Sequence, residues 1–324
     1  MNYILQERYA MFERVMKQAV MNRVLYALIP MIVLSVYLFG LRVLAVIVIA
    51  NIFAALLEYL FIRTKKNGKI TMAAFVTGTL VAMTLPPTIP LWMSAVAAAV
   101  AISFGKMMFG GFGTNPFNPA IVGRTFVYVA FPQQMTVEWI RPFMYSDFPG
   151  GFVRWSVSEG MRTGATVLGD FKIIKALPET FNALDSFLGF IPGSIGETSS
   201  LLILLAALYL IFTKTAKWQP MVSTVLSLLV FGFIFNPSQN PLYFLISGGA
   251  LFGTVFMTTD PVSQPKGKLA IWIYGIMIGF LTVFIRRYSL FAEGFMFALL
   301  LTNSFMPMIE YFLDKRGKKK GAKA

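Results

Sequence analysis

The chain has 324 residues, 57% of them hydrophobic and only 13% charged, with a mean hydropathy of +0.70. A water-soluble domain carries about 25% charged residues, so the composition excludes a soluble enzyme and points to a polytopic membrane protein without large soluble domains. Cysteine and histidine are absent, which removes thiolate iron–sulfur ligation, the usual zinc sites, His-ligated haem and flavin linked through thiol or imidazole. Any covalently attached redox group must hang from a hydroxyl.

The formal net charge of +14 does not indicate nucleic-acid binding, because the basic residues cluster between apolar runs. They fall at Arg63-Lys65-Lys66-Lys69, Lys214-Lys217, Lys266-Lys268 and the Lys315 to Lys323 tail, the pattern of cytoplasmic loops.

In chain order, residues 1–23 form a polar, amphipathic segment without a convincing cleavage site. Apolar runs follow at 24–39, 41–62, 70–85, 91–109 and 119–131, making a first membrane unit over 24–131. Residues 132–198 are too polar to cross a bilayer and form a long loop. Runs at 199–213, 221–235, 241–257, 269–285 and 290–312 make a second unit over 199–313, and 314–324 is a basic tail. The bias of basic residues puts both termini in the cytoplasm and the long loop outside; Arg286 and Arg287 run against it. Several runs are shorter than the ~20 residues that cross a bilayer and carry Gly or Pro, as at Leu85-Pro86-Pro87 and Gly248-Gly249. Short, interrupted spans mark broken helices around a site.

Two pairs of segments repeat five spans apart. Met83-Thr84-Leu85-Pro86 resembles Met257-Thr258-Thr259-Asp260-Pro261, and Asn115-Pro116-Phe117-Asn118-Pro119 resembles Asn303-Ser304-Phe305-Met306-Pro307. An odd number of spans per repeat inverts one half relative to the other. The expected fold is therefore an all-α integral membrane domain of about ten transmembrane helices, in two inverted five-helix repeats with broken helices.

Within the polar stretch, Thr163-Gly164-Ala165-Thr166 sets two hydroxyls around two small residues, so a bulky group can approach the backbone and reach the Thr166 hydroxyl. The other notable polar groups sit in the apolar units. Asn115, Asn118 and Arg124 surround two Asn-Pro breaks, and polar backbone at membrane depth survives only around a cavity or satisfied internally. Acids in or near hydrocarbon (Glu58, Asp260, Glu293 and Glu310) are functional candidates by default. Glu58 reads alternatively as an interfacial partner of Tyr59 and Arg63, and Glu310 of Lys315 or Arg316. Asp260, at a repeated Pro break, could bind Na+, take a proton or cap a broken helix.

The run Gly110-Gly111-Phe112-Gly113-Thr114-Asn115-Pro116-Phe117-Asn118-Pro119-Ala120, followed by Gly123-Arg124, resembles the NqrB/RnfD family of ion-translocating redox complexes. The resemblance covers nearly the whole chain, and the chain length favours the D subunit of the Rnf complex. The Thr163–Thr166 string resembles the family's flavin-attachment motif, whose last Thr carries FMN through a phosphoester made by a flavin transferase. The acidic residue usually found shortly upstream is represented by Glu159, with Gly160, Met161 and Arg162 intervening. The resemblance implies covalent FMN on Thr166. Arg162 or Arg154 could then pair with its phosphate or lie in an ordinary solvated loop, and Trp139, Phe143, Tyr145 and Trp155 could cover the ring or sit in an interfacial belt. The resemblance also implies a second, non-covalent flavin such as riboflavin near Asn115, Asn118 and Arg124. Function then follows as an electron-carrying subunit of a redox-driven ion translocase, a ferredoxin:NAD+ oxidoreductase moving Na+ or H+ across a bacterial or archaeal cell membrane. Partners would be other membrane subunits, an FMN-bearing external subunit, and iron–sulfur and NADH-binding subunits. Two other readings are a channel or transporter of urea-channel-like fold, and a structural anchor without a carrier role.

Overall fold

In hydrocarbon every backbone N–H and C=O must find a partner inside the protein, so long apolar runs become helices. The computed structural model describes residues 15–16, 18–63, 68–157, 162–163, 166, 168–169, 182–237, 240–246 and 248–321, and it is mainly helical. In chain order the apolar helices are α1 (Ala19–Phe39), α2 (Arg42–Ile62), α3 (Met72–Met83), α4 (Leu91–Gly105), α5 (Pro119–Ala130), α6 (Ser200–Phe212), α7 (Trp218–Phe235), α8 (Ala250–Phe256), α9 (Lys268–Tyr288) and α10 (Phe295–Gly321). Among the described residues, six helical stretches are long and apolar enough to cross a membrane, and α3, α5 and α6 are shorter apolar helices. This fits a multi-pass membrane protein. Exposed Ile29, Val33, Val48, Ile52, Leu205 and Val230 give the outside of the bundle an apolar surface suited to lipid.

Small residues let the helices approach closely, which is how helices associate where lipid is as apolar as leucine. Ala97 and Ala101 on α4 are fully buried and lie against Gly123 of α5, where a Cβ would overlap them, and the buried Ala50 of α2 lies beside Gly78 of α3. On the α7–α9 pair, Gly275 and Gly279 lie against Ser223 and Ser227, and a Cβ on either glycine would overlap those serines. Ser227 also donates to the Ile276 carbonyl at 2.8 Å. The most extensive helix pair is α7 with α9; in the first half α4 packs about equally on α2 and α5.

Two helices stop inside the bundle. α3 ends before Leu85-Pro86-Pro87, and its freed carbonyls at Met83 and Leu85 accept from the N–H groups of Gly196 (2.7 Å) and Ile195 (3.0 Å). The connection 190–199 therefore folds back into the bundle to cap a broken helix. α8 ends at Met257, whose carbonyl accepts from the Asn118 side chain at 3.5 Å.

Short strand pairs mark the two ends of the bundle. At one end β1 (Val15–Met16) pairs in parallel with β2 (Ile70–Thr71), and Arg23 donates to the Thr213 carbonyl. At the other, β3 (Trp139–Ile140) pairs antiparallel with β4 (Arg162–Thr163). There the Leu41 and Arg42 N–H groups also donate to the Arg154 and Trp155 carbonyls.

Candidate functional site

Polar side chains gather in two places, one toward each end. The first lies where α5 begins. Asn118 is the N-cap of α5: its side-chain oxygen accepts from the Ala120 N–H at 3.0 Å, with Pro119 as the first helical residue, the preferred chemistry for starting a helix. Asn115 donates to the Phe117 carbonyl at 2.9 Å. Both asparagines line a cavity of about 60 Å3 together with Thr77, Lys106, Thr259 and Asp260. Asp260 closes the turn after α8, its carboxylate accepting from Val262 N–H (3.1 Å) and the Ser263 hydroxyl (2.9 Å).

Lys106, inside the apolar run 91–109, is about 1% exposed and directs its ammonium at Glu58 (2.9 and 3.0 Å) and the Thr71 hydroxyl (2.6 Å). Glu58 is therefore not an interfacial partner of Tyr59 and Arg63; it is buried and joins α2, β2 and α4. Glu310, among the described residues, is held at the turn before α9. Its carboxylate accepts from the Lys266 and Gly267 N–H groups, at 2.7 and 3.3 Å.

The second site lies at the β3–β4 end and contains Thr166. Its hydroxyl accepts from the Gly169 N–H at 3.2 Å and lines a small cavity of about 20 Å3. The walls, among the described residues, include Trp139, Ser194, Glu197, Gly248 and Glu293. The backbone of Thr163 and Arg162 pairs with Trp139 and Ile140, so the strand leading into the motif is held in the fold. Gly164, Ala165 and the side chains of Arg162 and Thr163 lie outside the described residues, as does Glu159. Arg154 stacks over the Phe143 ring, 5.0 Å from its centre. Trp139 and Phe143 are buried, whereas Tyr145 and Trp155 are exposed.

Behind this cavity sits a buried ionic cluster. Arg124 donates to Glu197 at 2.5 and 3.4 Å and also to Glu293. Arg124 is six residues beyond Asn118 on α5, hence about 9 Å along the axis and turned roughly 120° away. It therefore belongs to the Thr166 site, and the structure does not bring it to the cavity of Asn115 and Asn118. Arg286, near the end of α9, is buried close enough to interact electrostatically with both carboxylates. Burial pushes the Glu197 carboxyl above the usual carboxylate range, with Arg124 opposing and Glu293 reinforcing the shift. Gly248 and Gly249 leave room for these acids: a Cβ on Gly249 would overlap the Glu197 carboxylate. Sequence reasoning misses Glu197, because an acid inside a polar stretch looks solvated.

With this geometry in place, the comparisons are informative. A model described as the NQR2, RnfD, RnfE family matches residues 11–319. The chain belongs to this family. It is 36% identical over 278 residues to the B subunit of the Na+-translocating NADH-quinone reductase of Chromohalobacter salexigens, covering 82% of this chain and 64% of that one. The subunits of the same name from Azotobacter vinelandii (36% over 272 residues; 79% of this chain, 63% of that one) and Yersinia pestis (33% over 287; 82% and 65%) are similar. The chain thus spans slightly under two thirds of the length of these relatives.

Proposed function

We propose that the chain is an electron-carrying membrane subunit of a redox-driven ion translocase, the D subunit of an Rnf-type ferredoxin:NAD+ oxidoreductase, with FMN esterified to Thr166. The observation that carries this reading is the Thr166 hydroxyl, which opens into a small cavity bordered by Ser194, Glu197 and Glu293 in a chain with neither cysteine nor histidine. The Thr166 hydroxyl accepts from the Gly169 N–H and reaches the cavity, whose charged wall groups among the described residues are the Glu197 and Glu293 carboxylates, with Arg124 and Arg286 behind them. The cavity itself holds about one water, far below the roughly 300 Å3 of an ordinary small-molecule pocket. The ring would therefore lie over the outer surface, toward Tyr145 and Phe190, which meet edge to face beside Ile191 of the cavity wall. When bound, the flavin supplies the redox chemistry; the protein supplies attachment, orientation and electrostatics.

In the same reading, the two halves are inverted five-helix repeats making ten spans. Support comes from a broken helix in each half, α3 before Leu85-Pro86-Pro87 and α8 before Asp260-Pro261. Both termini are cytoplasmic and Thr166 faces outward. A second, non-covalent flavin at the Asn115–Asn118 cavity would require that cavity, about 60 Å3 and likewise far below an ordinary small-molecule pocket, to open; Asp260 on its wall is the candidate for the coupling ion. Partners are the remaining membrane, iron–sulfur and nicotinamide-binding subunits. The relatives named above are quinone-reductase subunits, which favours that complex as the second reading. Purification of the complex separates them: ferredoxin-dependent NAD+ reduction supports the first, and NADH-dependent quinone reduction the second.

Mass spectrometry of the Thr166 peptide, from protein co-expressed with a flavin transferase, tests the attachment. We expect an added FMN on Thr166, with in-gel fluorescence lost in Thr166→Val. An unmodified peptide beside active transferase would overturn the electron-carrier reading and leave a channel or transporter in its place.

A further inference from the structure

A third cavity lies on the outside of the bundle, between α5 and α10. It is an open groove of about 590 Å3 walled by Phe104, Phe117, Phe126, Val129 and Leu300, with polar groups from Thr125 and Ser304. Neither hydroxyl requires a polar ligand. Ser304 donates to the Leu300 carbonyl one turn back at 2.9 Å. Thr125, which has no partner among the described residues, can turn to the Ile121 carbonyl in the same way. The groove therefore suits an apolar occupant of flexible shape. A transmembrane helix, about 10–12 Å across, can rest on it, whereas a hydrocarbon chain can enter.

The surroundings of the groove decide which chain. α5 and α10 run antiparallel, because Tyr128 near the end of α5 meets Phe291 and Phe297 at the start of α10. The Phe117 end of the groove thus points toward the C-terminal part of α10. There Met308, Tyr311 and Lys315 follow Ser304 on one face of the helix, which continues through Pro307. All three are exposed, and the Lys315 ammonium lies over the Tyr311 ring, 6.0 Å from its centre. The hold of Glu310 on the Lys266 and Gly267 N–H groups brings exposed Lys266 and Lys268 to the same end. Asp314 adds one negative charge there, against these lysines and the Arg316, Lys318, Lys319 and Lys320 that follow in sequence. Basic clusters directly after a transmembrane helix attract anionic lipid. Depth agrees as well. Lys315 lies ~16 Å beyond Ser304 along the axis, and one leaflet of the hydrocarbon core is ~15 Å thick. A lipid with its phosphate at Lys315 therefore lays the end of its chain in the groove.

We propose that the α5–α10 groove holds an acyl chain of an anionic phospholipid whose phosphate sits at the Lys315 end of α10, with Tyr311 between the two. A zwitterionic lipid offers the same chain without the net charge that the lysines select.

The test is photolabelling of the purified complex in nanodiscs. Phosphatidylglycerol or phosphatidylcholine carries a diazirine near the end of one acyl chain, and mass spectrometry reads the labelled residues. Phosphatidylglycerol should label Phe126 and Leu300 in excess over phosphatidylcholine, while the two lipids label Val48 and Leu205 alike. Lys315→Gln should reduce that excess about fivefold, the worth of one basic residue at an anionic surface. Val122→Trp, which fills the groove, should abolish labelling of Phe126 and Leu300 by either lipid and leave Val48 and Leu205 unchanged. Equal labelling of the groove by the two lipids makes it ordinary lipid-facing surface and overturns the proposal. A groove that neither lipid labels is covered by a neighbouring subunit or a second copy, which also overturns it. Should Val122→Trp fail to assemble, Lys315→Gln combined with Gln at Lys318, Lys319 and Lys320 decides: an undiminished excess refutes the proposal.

Discussion

Two buried ionic clusters lie in this membrane domain, and they are built differently. Lys106 has three N–H donors and directs them at Glu58 and Thr71, so one cation meets one carboxylate and a hydroxyl in a closed set. Arg124 is shared by two carboxylates, one of them partly open and both on a cavity wall. The first cluster ties helix ends together, and its Lys106 also borders the cavity of Asn115, Asn118 and Asp260. The second sets two acids on one guanidinium, with Arg286 close by, and faces the Thr166 hydroxyl. The two differ in how many carboxylates share one cation, not in burial.

Removing the shared cation should have the largest effect. Arg124→Met strands two carboxylates, and breaking a buried pair from one side costs about 3–5 kcal/mol. We expect a large drop in the thermal midpoint in detergent, only partly relieved by adding Glu197→Gln because Glu293 still lacks its partner. Lys106→Met should cost a similar or smaller amount. Here the paired change Lys106→Met with Glu58→Leu should recover most of the loss, since apolar replacement of a whole buried pair is often neutral. A double-mutant cycle measures the contrast. Equal rescue at both clusters would erase the distinction drawn between them.

The same contrast explains what can be read from the sequence. Helices are legible because apolar runs have few alternatives in lipid: the run 41–62 is α2 (Arg42–Ile62), and 91–109 contains α4 (Leu91–Gly105). The break after Met83 is legible from Leu85-Pro86-Pro87. The partners of the charges are not. Lys106 lies inside the apolar run 91–109, and nothing beside it in sequence shows that its ammonium meets Glu58 on α2. Glu197 looks solvated because its neighbours are polar, but Ile195 and Gly196 bond to the broken end of α3 and draw it inside. Arg124 groups with Asn118 by closeness in sequence, and the helical turn separates them. Long-range return of a polar connection leaves no local pattern.

A smaller effect tests how tightly the second cluster is held. Gly249 has ordinary negative backbone angles, so Gly249→Ala is tolerated by the backbone and opposed by the Glu197 carboxylate alone. Overpacking of this kind costs about 1–3 kcal/mol. A thermal midpoint within error of wild type would show that Glu197 can move aside, weakening the case for a fixed acid at the Thr166 wall.

The smallest effect is expected at the opposite cavity, where Asn118 serves both architecture and the proposed second flavin. Asn118→Ala removes the acceptor for the Ala120 N–H and the long contact to the Met257 carbonyl, and loss of an N-cap costs about 0.5–2 kcal/mol. Asn118→Ser keeps a capping oxygen but is too short to reproduce the amide's reach toward α8. Stability measured by thermal unfolding should therefore fall for Ala and stay near wild type for Ser. Extraction of non-covalent flavin from the same preparations separates the two roles. Serine protein that is stable but depleted of extractable flavin would make the Asn118 amide a ligand contact. Serine protein that is stable and fully loaded would reduce Asn118 to the start of α5, leaving Arg124, Glu197 and Glu293 as the functional polar cluster.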